Sequence, residues 1–403
     1  MTFYTNLKAG NVRSIKLLGL NVYVHEKSPE YTSQKFLCGS IATITVVKGN
    51  TWEKTINFFG IPVVKRTDEL FFRKIYLGNF LVKINDLRES FKKRYSKFID
   101  ERHDDVYILN SNSGEAYLFL AYFSKFILNN GSKNPLIVAQ KMYHIDLIKM
   151  LCPQIPYVYI PSIKNLIPCE MFEAGSQRFF IMFPPKYYAD LERDIHKNPN
   201  VTIHYLSRIL EILKISTKNN TAQVPIPSSE VELEMLKKVD AIGLNLNKFI
   251  FVSPDAQSNP SLSNEFWSRL SEEMERLGYN LFFNTVPFES NLKNVKTCFL
   301  SFEEAYVLSQ RSKGIIALRS GFVELLSTIK NLPIICLYTP FKKRGSLESM
   351  PAGTVLKSFT LKLLPNIDIQ NIHEFDMFKT SENELLEYIL KDIYSPKQMI
   401  GVK

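Results

Sequence analysis

The stretch Lys313–Thr328 reads KGIIALRSGFVELLST and decides the fold predicted around it. Ile315–Leu318 is a short apolar run of the kind that a buried parallel strand needs. Arg319–Gly321 interrupts this run, and a helical pattern begins at Val323. The turn is therefore predicted at the carboxyl end of a strand and the amino end of a helix, where unpaired backbone N–H groups bind phosphate. A capped helix start without any ligand is the alternative at this point.

Length and composition limit the classes of protein to which the chain can belong. A chain of 403 residues with 45% hydrophobic and 22% charged residues can bury large cores and suggests two domains. Five scattered cysteines without a CxxC pair indicate free thiols in a reducing compartment. No signal peptide and no apolar run of about 18 residues is found, so a cytoplasmic location is expected.

Positive charge is concentrated at the start of the chain. Residues 1–85 hold 12 Lys or Arg against 5 Asp or Glu, which is +7 of the net charge of +10. Such a surplus favours an anionic partner such as a membrane surface, whereas a merely solvated basic surface is the alternative. Nucleic-acid binding is not expected, because the aromatic-rich basic start matches no RNA-binding motif.

The same region carries a weak internal repeat. Lys16–Val24, Ile56–Val64 and Ile75–Lys83 each join two apolar runs through a glycine turn, with basic residues at the borders. Each unit is predicted to form a β-hairpin. These "FGIP" hairpins resemble terminal segments of many bacterial capsule and surface-polysaccharide enzymes. The resemblance implies an accessory module that docks on the inner membrane face or self-associates.

From residue 87 onward, predicted strands alternate with predicted helices. Residues 88–102 are predicted to form a charged helical linker, and a polar connection at Lys218–Ser229 separates two series of alternating elements. This pattern is typical of parallel, doubly wound sheets. The predicted fold class is α/β, with two Rossmann-like domains facing a cleft and a small basic β-rich N-terminal module. The predicted segments are residues 1–86 for the module, 87–222 and 223–365 for the two domains, and 366–403 for a tail whose helix crosses back.

Polar turns at the carboxyl ends of the predicted strands would line the shared cleft. Those of the second domain contribute Ser253, Asp255, Gln257, Asn284, Ser301, Glu304, Arg319, Ser320, Gly321 and Glu324. The first domain contributes the loop Asn112, Ser113 and Gly114, followed by Glu115.

The order of these turns resembles GT-B glycosyltransferases of the heptosyltransferase-like group and their capsule-synthesis relatives. The resemblance covers residues 106–339, and it depends on SPDA at 253–256, LSFEEAY at 300–306, RSGFVELL at 319–326 and LYTP at 337–340. It implies a nucleotide-sugar donor whose diphosphate lies at Ser320 and Gly321, a glycan or glycolipid acceptor, and no cofactor. An acid directly after a glycine is the catalytic base in that group, which implies this role for Glu115. Enzymes of that group carry a lysine at this point of the chain, and Gln257 and its neighbours replace it here. Arg319 is therefore expected to supply the positive charge, and the identity of the donor sugar stays open.

Each assigned role has a structural alternative. Glu115 could cap its helix instead of acting as a base. Arg319 could form a salt bridge to Glu303 or Glu304 instead of stabilising the leaving group. Glu304 and Glu324, proposed to bind ribose hydroxyls, could lie on solvated helix faces.

The predicted function is metal-independent, inverting transfer of a sugar in bacterial surface-polysaccharide synthesis, at the cytoplasmic face of the membrane. No metal site is expected, because the six histidines show no ligand spacing and the cleft has no DxD. The absence of GxGxxG, GxxxxGK[ST] and GxSxG argues against dehydrogenases, P-loop ATPases and α/β hydrolases. Two alternatives stay open, a polysaccharide pyruvyl transferase-like enzyme and a non-catalytic nucleotide-sugar-binding scaffold. Homo-oligomer formation is also left open.

Overall fold

A computed structural model describes residues 4–9, 12–17, 20–27, 31–37, 42–47, 51–59, 61–69, 72–77, 79–163, 171–182, 205–215, 222–256, 261–285, 292, 295–339 and 352–394. These residues form three sheets. Gln257, the predicted elements between residues 183 and 204, and the polar stretch 218–221 lie outside the described residues.

The first sheet is an antiparallel meander of nine strands in sequence order. Its strands are β1 (Tyr4–Ala9), β2 (Val12–Leu17), β3 (Leu20–Lys27), β4 (Tyr31–Phe36), β5 (Ala42–Val47), β6 (Thr51–Phe58), β7 (Ile61–Glu69), β8 (Phe72–Leu77) and β9 (Phe80–Asp86). The three predicted hairpins are confirmed, because they correspond to the antiparallel pairs β2–β3, β6–β7 and β8–β9.

These three hairpins share one irregularity. The register shifts directly after Ile15, Ile56 and Ile75, at the same place in each sequence repeat. The extra residue on the second strand is Val22, Val63 or Val82, respectively. A bulge of this kind bends a strand and increases its twist. The sequence repeat is thus also a repeat of local geometry.

The second sheet has the order β12-β11-β10-β14-β13. Its strands are β10 (Asp105–Leu109), β11 (Pro135–Ala139), β12 (Tyr157–Tyr159), β13 (Met171–Ala174) and β14 (Gln177–Met182). The pair β11–β12 is parallel, as predicted, whereas β13–β14 is an antiparallel hairpin, so the sheet is mixed. Arg178 joins this hairpin to β10 through two hydrogen bonds of 2.6 and 2.7 Å to the buried carboxylate of Asp105.

Helix α1 (Leu87–Tyr95) confirms that the segment predicted as a charged helical linker at residues 88–102 is helical, but corrects its role as a linker. Its Phe91 side chain is buried and meets the rings of Phe172 and Phe179 edge-on, with centroids 5.3 and 5.5 Å away. The charged residues dominate the sequence of this segment, but its buried stripe makes it a packed helix. The predicted helix that follows β10 is divided into α2 (Ser113–Ala121) and α3 (Phe123–Asn129). Two more helices, α4 (Met142–Leu151) and α5 (Tyr205–Ile212), lie in this part of the chain.

The third sheet is a six-stranded parallel sheet with the order β17-β16-β15-β18-β19-β20. Its strands are β15 (Phe249–Ser253), β16 (Asn280–Phe283), β17 (Val295–Thr297), β18 (Ile315–Leu318), β19 (Ile334–Tyr338) and β20 (Ile372–Asp376). Counted from β15, the order is 3-2-1-4-5-6, the arrangement of dinucleotide-binding folds. The helices are α6 (Ser229–Ala241), α7 (Asn264–Arg276), α8 (Phe302–Gln310), α9 (Gly321–Leu326), α10 (Ala352–Phe359) and α11 (Glu382–Tyr388). The predicted α/β class, with a β-rich N-terminal module, is confirmed.

The carboxyl-terminal tail corrects a second prediction. Strand β20 pairs with β19 and forms the edge of the third sheet. Leu385, Leu386 and Ile389 are buried in the same core as Trp267 of α7. The tail helix therefore packs on the third sheet's own core and does not cross back onto the first domain. The apolar positions of α11 predicted a helix, but they did not indicate which layer it covers.

The described residues divide into two compact units. One holds residues from 4–107 and 162–182, and the other holds residues from 108–161, 205–339 and 352–394. The division falls within β10, and the boundaries predicted at residues 86, 222 and 365 remain predictions. The described candidate site residues all belong to the second unit. Three cysteines are described as free thiols, of which Cys152 and Cys336 are buried and Cys298 is half-buried.

Candidate functional site

The site begins at the point where the strand order of the third sheet reverses. Strands β15 and β18 are neighbours there, and their chains continue to opposite sides of the sheet. Ser253 ends β15, and Arg319–Gly321 follows β18. Open parallel sheets bind ligands beside the carboxyl ends of the two strands at such a point. Asp255 is exposed next to it and accepts a 2.7 Å hydrogen bond from the Thr285 hydroxyl.

Arg319 and Glu324 form a buried ion pair behind this turn. Nη2 of Arg319 donates to Oε1 of Glu324 over 2.6 Å, and the two side chains are 7% and 3% exposed. Nε and Nη1 of Arg319 donate to the backbone oxygens of Phe359 and Ser320, at 2.9 and 2.7 Å. The buried guanidinium thus stabilises the Arg319–Gly321 turn through these hydrogen bonds. This contact replaces the predicted alternative, a bridge to Glu303 or Glu304.

Aromatic side chains surround this ion pair. The Arg319 guanidinium carbon lies 5.7 Å from the ring centre of Tyr205 and 5.8 Å from that of Phe359. Burial raises the pKa of the Glu324 carboxyl, and the charge of Arg319 opposes this rise. Burial alone would lower the pKa of Arg319, but the Glu324 carboxylate keeps it above its ordinary value. The pair is therefore interdependent, since each charge is tolerated only because of the other.

The starts of α2 and α9 touch each other through two glycines. A Cβ on Gly321 would stand 2.5 Å from Oγ of Ser113 and 2.8 Å from the Cα of Gly114. A Cβ on Gly114 would stand 2.7 Å from both carboxylate oxygens of Glu324. Neither position has room for a side chain, so glycine is required by close approach and not by a positive φ. The two turns predicted to face each other are in direct contact.

The loop between β10 and α2 is held by three donors to one oxygen. Ser111 O lies 3.3 Å from Nζ of Lys141, 3.4 Å from Oη of Tyr143 and 3.1 Å from Nε2 of His144. Lys141 comes directly before α4, at the carboxyl end of β11. The buried Oγ of Ser111 has no hydrogen-bond partner in the part of the chain that the structure describes. The loop is thus anchored through the backbone oxygen of Ser111, and the Ser111 hydroxyl takes no part in that anchoring.

Glu115 lies in the first turn of α2, beside these groups. It is half-buried, and its charge acts on both Lys141 and Tyr143. Burial lowers the pKa of Lys141, and the carboxylate of Glu115 opposes that change. Burial raises the pKa of Tyr143, and Glu115 raises it further. A carboxylate, an ammonium group and a phenol therefore share one partly desolvated corner.

His144 is neutral in this arrangement. Its Nδ1 accepts from the backbone N–H of Gln140 at 3.3 Å, and its Nε2 donates to Ser111 O. One ring nitrogen must accept and the other must donate, which describes the neutral imidazole. Burial lowers the pKa of His144 to about 4. The residue positions the Ser111 loop and is not itself a charged member of the site.

Two contacts join α4 to the start of α8. The ring of Phe302 stacks on Tyr143 with centroids 5.3 Å apart, and the backbone N–H of Phe302 donates to Asp146 over 2.9 Å. Phe302 also lies 4.5 Å from the ring of Phe322, the second residue of α9. The Phe302 ring therefore links the helix carrying Tyr143 to the helix that follows the Arg319 turn.

Other predicted donor residues have structural contacts of their own. Ser301 and Glu304 form a capping box at α8, and Glu304 also pairs with Lys238 at 2.6 Å. The side-chain oxygen of Asn284 accepts from the backbone N–H of Leu300 at 2.8 Å. Ser320 caps α9 through Val323 N. These contacts give Ser301, Glu304 and Asn284 structural roles that need no ligand.

Sequence reasoning missed Lys141, Tyr143 and Tyr205. Lys141 and Tyr143 follow β11 in the same way as Glu115 follows β10. Because loops at the carboxyl ends of parallel strands come together at one edge of a sheet, this rule could have indicated both residues. Tyr205 lies in α5, far from any strand-end motif, and no sequence signal indicated it. Asn112 is exposed and Ser113 half-buried, at the start of α2.

Comparison with known proteins gave matches only among solved structures. No protein-family model matches the sequence, and no curated protein does. The fold is similar to a glycosyl transferase of family 9 from Veillonella parvula, with 12% identity and a TM-score of 0.44 over 73% of this chain and 94% of that chain. It is also similar to E. coli ADP-heptose LPS heptosyltransferase II, with 10% identity and a TM-score of 0.47 over 71% and 97% of the two chains.

A third similar structure is the iron-containing dodecameric glycosyltransferase TibC from enterotoxigenic E. coli, with 12% identity, a TM-score of 0.38, and coverage of 82% and 78%. At these identities the likeness concerns the fold alone. Among the described residues, no three or more His, Cys, Asp or Glu side chains cluster as metal ligands would. Within the described ranges, no helix has the length and apolar character needed to cross a membrane.

Proposed function

We propose that the chain is a glycosyltransferase that moves a sugar from a nucleotide-sugar donor to a polysaccharide or glycolipid acceptor, without a metal and with inversion. One observation carries the proposal. The Arg319–Gly321 turn lies at the strand-order reversal of a 3-2-1-4-5-6 parallel sheet and touches Gly114, the residue before Glu115. A ligand-binding position and a partly desolvated carboxylate are thus one residue apart.

In the proposed reaction, Glu115 takes the proton of the acceptor hydroxyl. The hydroxyl oxygen then attacks the anomeric carbon of the donor, and the bond from that carbon to the diphosphate oxygen breaks. The nucleoside diphosphate leaves with the electron pair, and a single displacement inverts the anomeric centre. A base needs hydrogen-bonding reach to the hydroxyl, and it contributes on the order of 10² to 10⁴ in rate.

Lys141 adds a charge that the sequence prediction lacked. Its ammonium group is half-buried beside Glu115, so Coulomb attraction couples the two side chains. Arg319 has a different role in this proposal. Its charge is engaged by Glu324 inside the protein, so we assign it to positioning the Ser320 turn and not to contact with the diphosphate. The donor side is then Ser253, Asp255, Ser320 and the backbone of Gly321.

Donor binding tests this proposal directly. Unfolding is measured with UDP-, GDP-, CMP- and ADP-sugars, since a donor at about 100 times its dissociation constant raises the free energy of unfolding by about 2.7 kcal/mol. Ser320→Ala should weaken that donor's binding. Ser381→Ala is the matched control, because Ser381 also caps a helix but lies in the tail at α11. Both variants lose a cap, and only the first should lose donor affinity.

Four results would argue against this assignment. Absence of any stabilising nucleotide sugar would remove the donor site. Equal donor affinity in the two serine variants would remove Ser320 from it. A requirement for phosphoenolpyruvate in turnover would instead favour the pyruvyl transferase-like alternative, whereas donor binding without any turnover would favour the non-catalytic scaffold.

A further inference from the structure

Among the described residues of the nine-stranded meander, most exposed large apolar side chains lie toward one end of the strands, with Val12, Phe72 and Ile84 as the exceptions. Antiparallel strands in sequence order bring alternate turns to the same end, so the β2–β3, β4–β5, β6–β7 and β8–β9 turns share one end. We call the exposed residues at these turns the tip row: Leu37, Phe58, Phe59, Ile61, Leu77 and Phe80. Phe59 is 69%, Ile61 67% and Phe80 80% exposed, which is unusual for side chains of this size.

Acidic residues are confined to the strand halves away from the tip row, whereas basic residues occur in both halves, with Arg13, Lys27, Lys54, Arg66, Arg73 and Lys74 in the far halves. The strand halves next to the tip row contain Lys16, Lys35, Lys65 and Lys83 and no acidic residue. The acidic residues of these strands, Glu26, Glu53, Asp68, Glu69 and Asp86, all lie in the other halves. Lys35 and Lys83 are exposed, and Lys65 pairs with Glu53 at 2.9 Å. A band of positive charge therefore borders the apolar tips.

The spacing of the tips favours a soft, continuous partner. Neighbouring strands lie about 4.8 Å apart, so tips on every second turn recur about every 10 Å along the row. The bulges after Ile15, Ile56 and Ile75 repeat beside three of these turns and give them a common shape. Separate apolar points of this kind do not form the flat, closely packed surface of a stable protein interface.

We propose that the tip row inserts into the interface of a membrane that contains anionic lipids. Apolar and aromatic tips would enter the boundary between headgroups and acyl chains, and the lysine band would meet the lipid phosphates and carboxylates. A second copy of the chain fits less well, because two tip rows in contact would bring lysine bands of the same sign together. This inference is independent of the transferase proposal, since it needs neither donor nor acceptor.

Tryptophan substitutions in the full-length protein test the insertion. Phe59→Trp and Phe80→Trp place a probe in the tip row, and Phe72→Trp places one at the opposite strand end, where Phe72 is 41% exposed. The native Trp52 and Trp267 give a background that is measured with the unmodified protein. With phosphatidylserine-containing vesicles, the two tip probes should shift to shorter wavelength and be quenched by brominated lipid. The Phe72→Trp probe should do neither.

Vesicle sedimentation provides the second measurement. Phe59→Ser with Phe80→Ser should reduce binding about tenfold or more, while Phe72→Ser leaves it unchanged. Lys35→Glu with Lys83→Glu should also reduce binding, since each lysine near an anionic surface contributes about fivefold. Binding that is absent in the unmodified protein, or retained in the double serine variant, would overturn the proposal. So would tip-probe shifts that depend on protein concentration without lipid, which would make the tip row a contact between copies.

Discussion

A Cβ on Gly321 would stand 2.8 Å from the Cα of Gly114, so the starts of α2 and α9 touch backbone to backbone. Gly321→Ala must push these turns apart, because the atoms it meets belong mostly to the main chain. We expect a loss of about 1–3 kcal/mol in the free energy of unfolding, together with a large loss of turnover. Denaturant unfolding and product assays measure the two effects.

Gly131→Ala is the comparison for that variant. A Cβ on Gly131 would meet no atom within 4 Å, but its φ of +64° strains any other residue. This variant should lose stability of about 1 kcal/mol and keep its turnover. If Gly321→Ala behaved in the same way as Gly131→Ala, the contact between the two turns would have no functional role.

The Arg319–Glu324 pair should show strong coupling. Arg319→Met leaves a carboxylate buried without its partner, which typically costs about 3–5 kcal/mol. Adding Glu324→Gln removes that charge and should restore much of the loss, as a double-mutant cycle by denaturant unfolding would show. Additive losses would mean that the two side chains do not depend on each other.

The stability of the Arg319→Met variant should show a characteristic dependence on pH. Burial already raises the pKa of Glu324 above 4.5, and the loss of Arg319 would raise it further. The folded Arg319→Met protein then binds the Glu324 proton more tightly than the unfolded chain. Its stability is therefore lost as the pH rises through the folded pKa, so its deficit should shrink as the pH is lowered from 7 toward 5.

His144 should contribute the opposite pH dependence. The unfolded chain binds this proton near pH 6.5, whereas burial lowers the folded pKa to about 4. The unfolded state takes up the proton first, so the free energy of unfolding falls as the pH is lowered across that window, by about 3 kcal/mol at most. His144→Gln removes the titrating group and should flatten the curve between pH 6.5 and 5. An unchanged slope would show that His144 is not the group responsible.

Much of the fold follows from local pattern in the sequence. The apolar run Ile315–Leu318 and the break at Arg319–Gly321 predicted a buried strand and a turn, and both are confirmed. The hairpins at Lys16–Val24, Ile56–Val64 and Ile75–Lys83 are confirmed as well. In each case the information lies within a few residues, because period and turn chemistry determine the element.

What the sequence could not supply depends on tertiary partners. The buried stripe of α1 becomes evident only with Phe172 and Phe179 beside it, and these lie about 80 residues away in the chain. The sequence offered Glu303 and Glu304 as partners for Arg319. The structure pairs Arg319 with a third acid, Glu324, in the first turn of α9. Packing selects among such chemically equivalent partners, and no local pattern records that selection.

The catalytic assignment of Glu115 is tested most directly by comparing turnover and donor binding in one variant. Glu115→Gln keeps the size of the side chain and removes its capacity to take a proton. Glu265→Gln is the matched control, since Glu265 is an exposed acid in the first turn of α7. We predict that Glu115→Gln lowers the rate of sugar transfer by about 10² to 10⁴ with donor affinity and stability nearly unchanged, and that Glu265→Gln has no such effect. Near-normal turnover in Glu115→Gln, with a lowered melting temperature, would contradict the account, because it would show a carboxylate that only caps its helix.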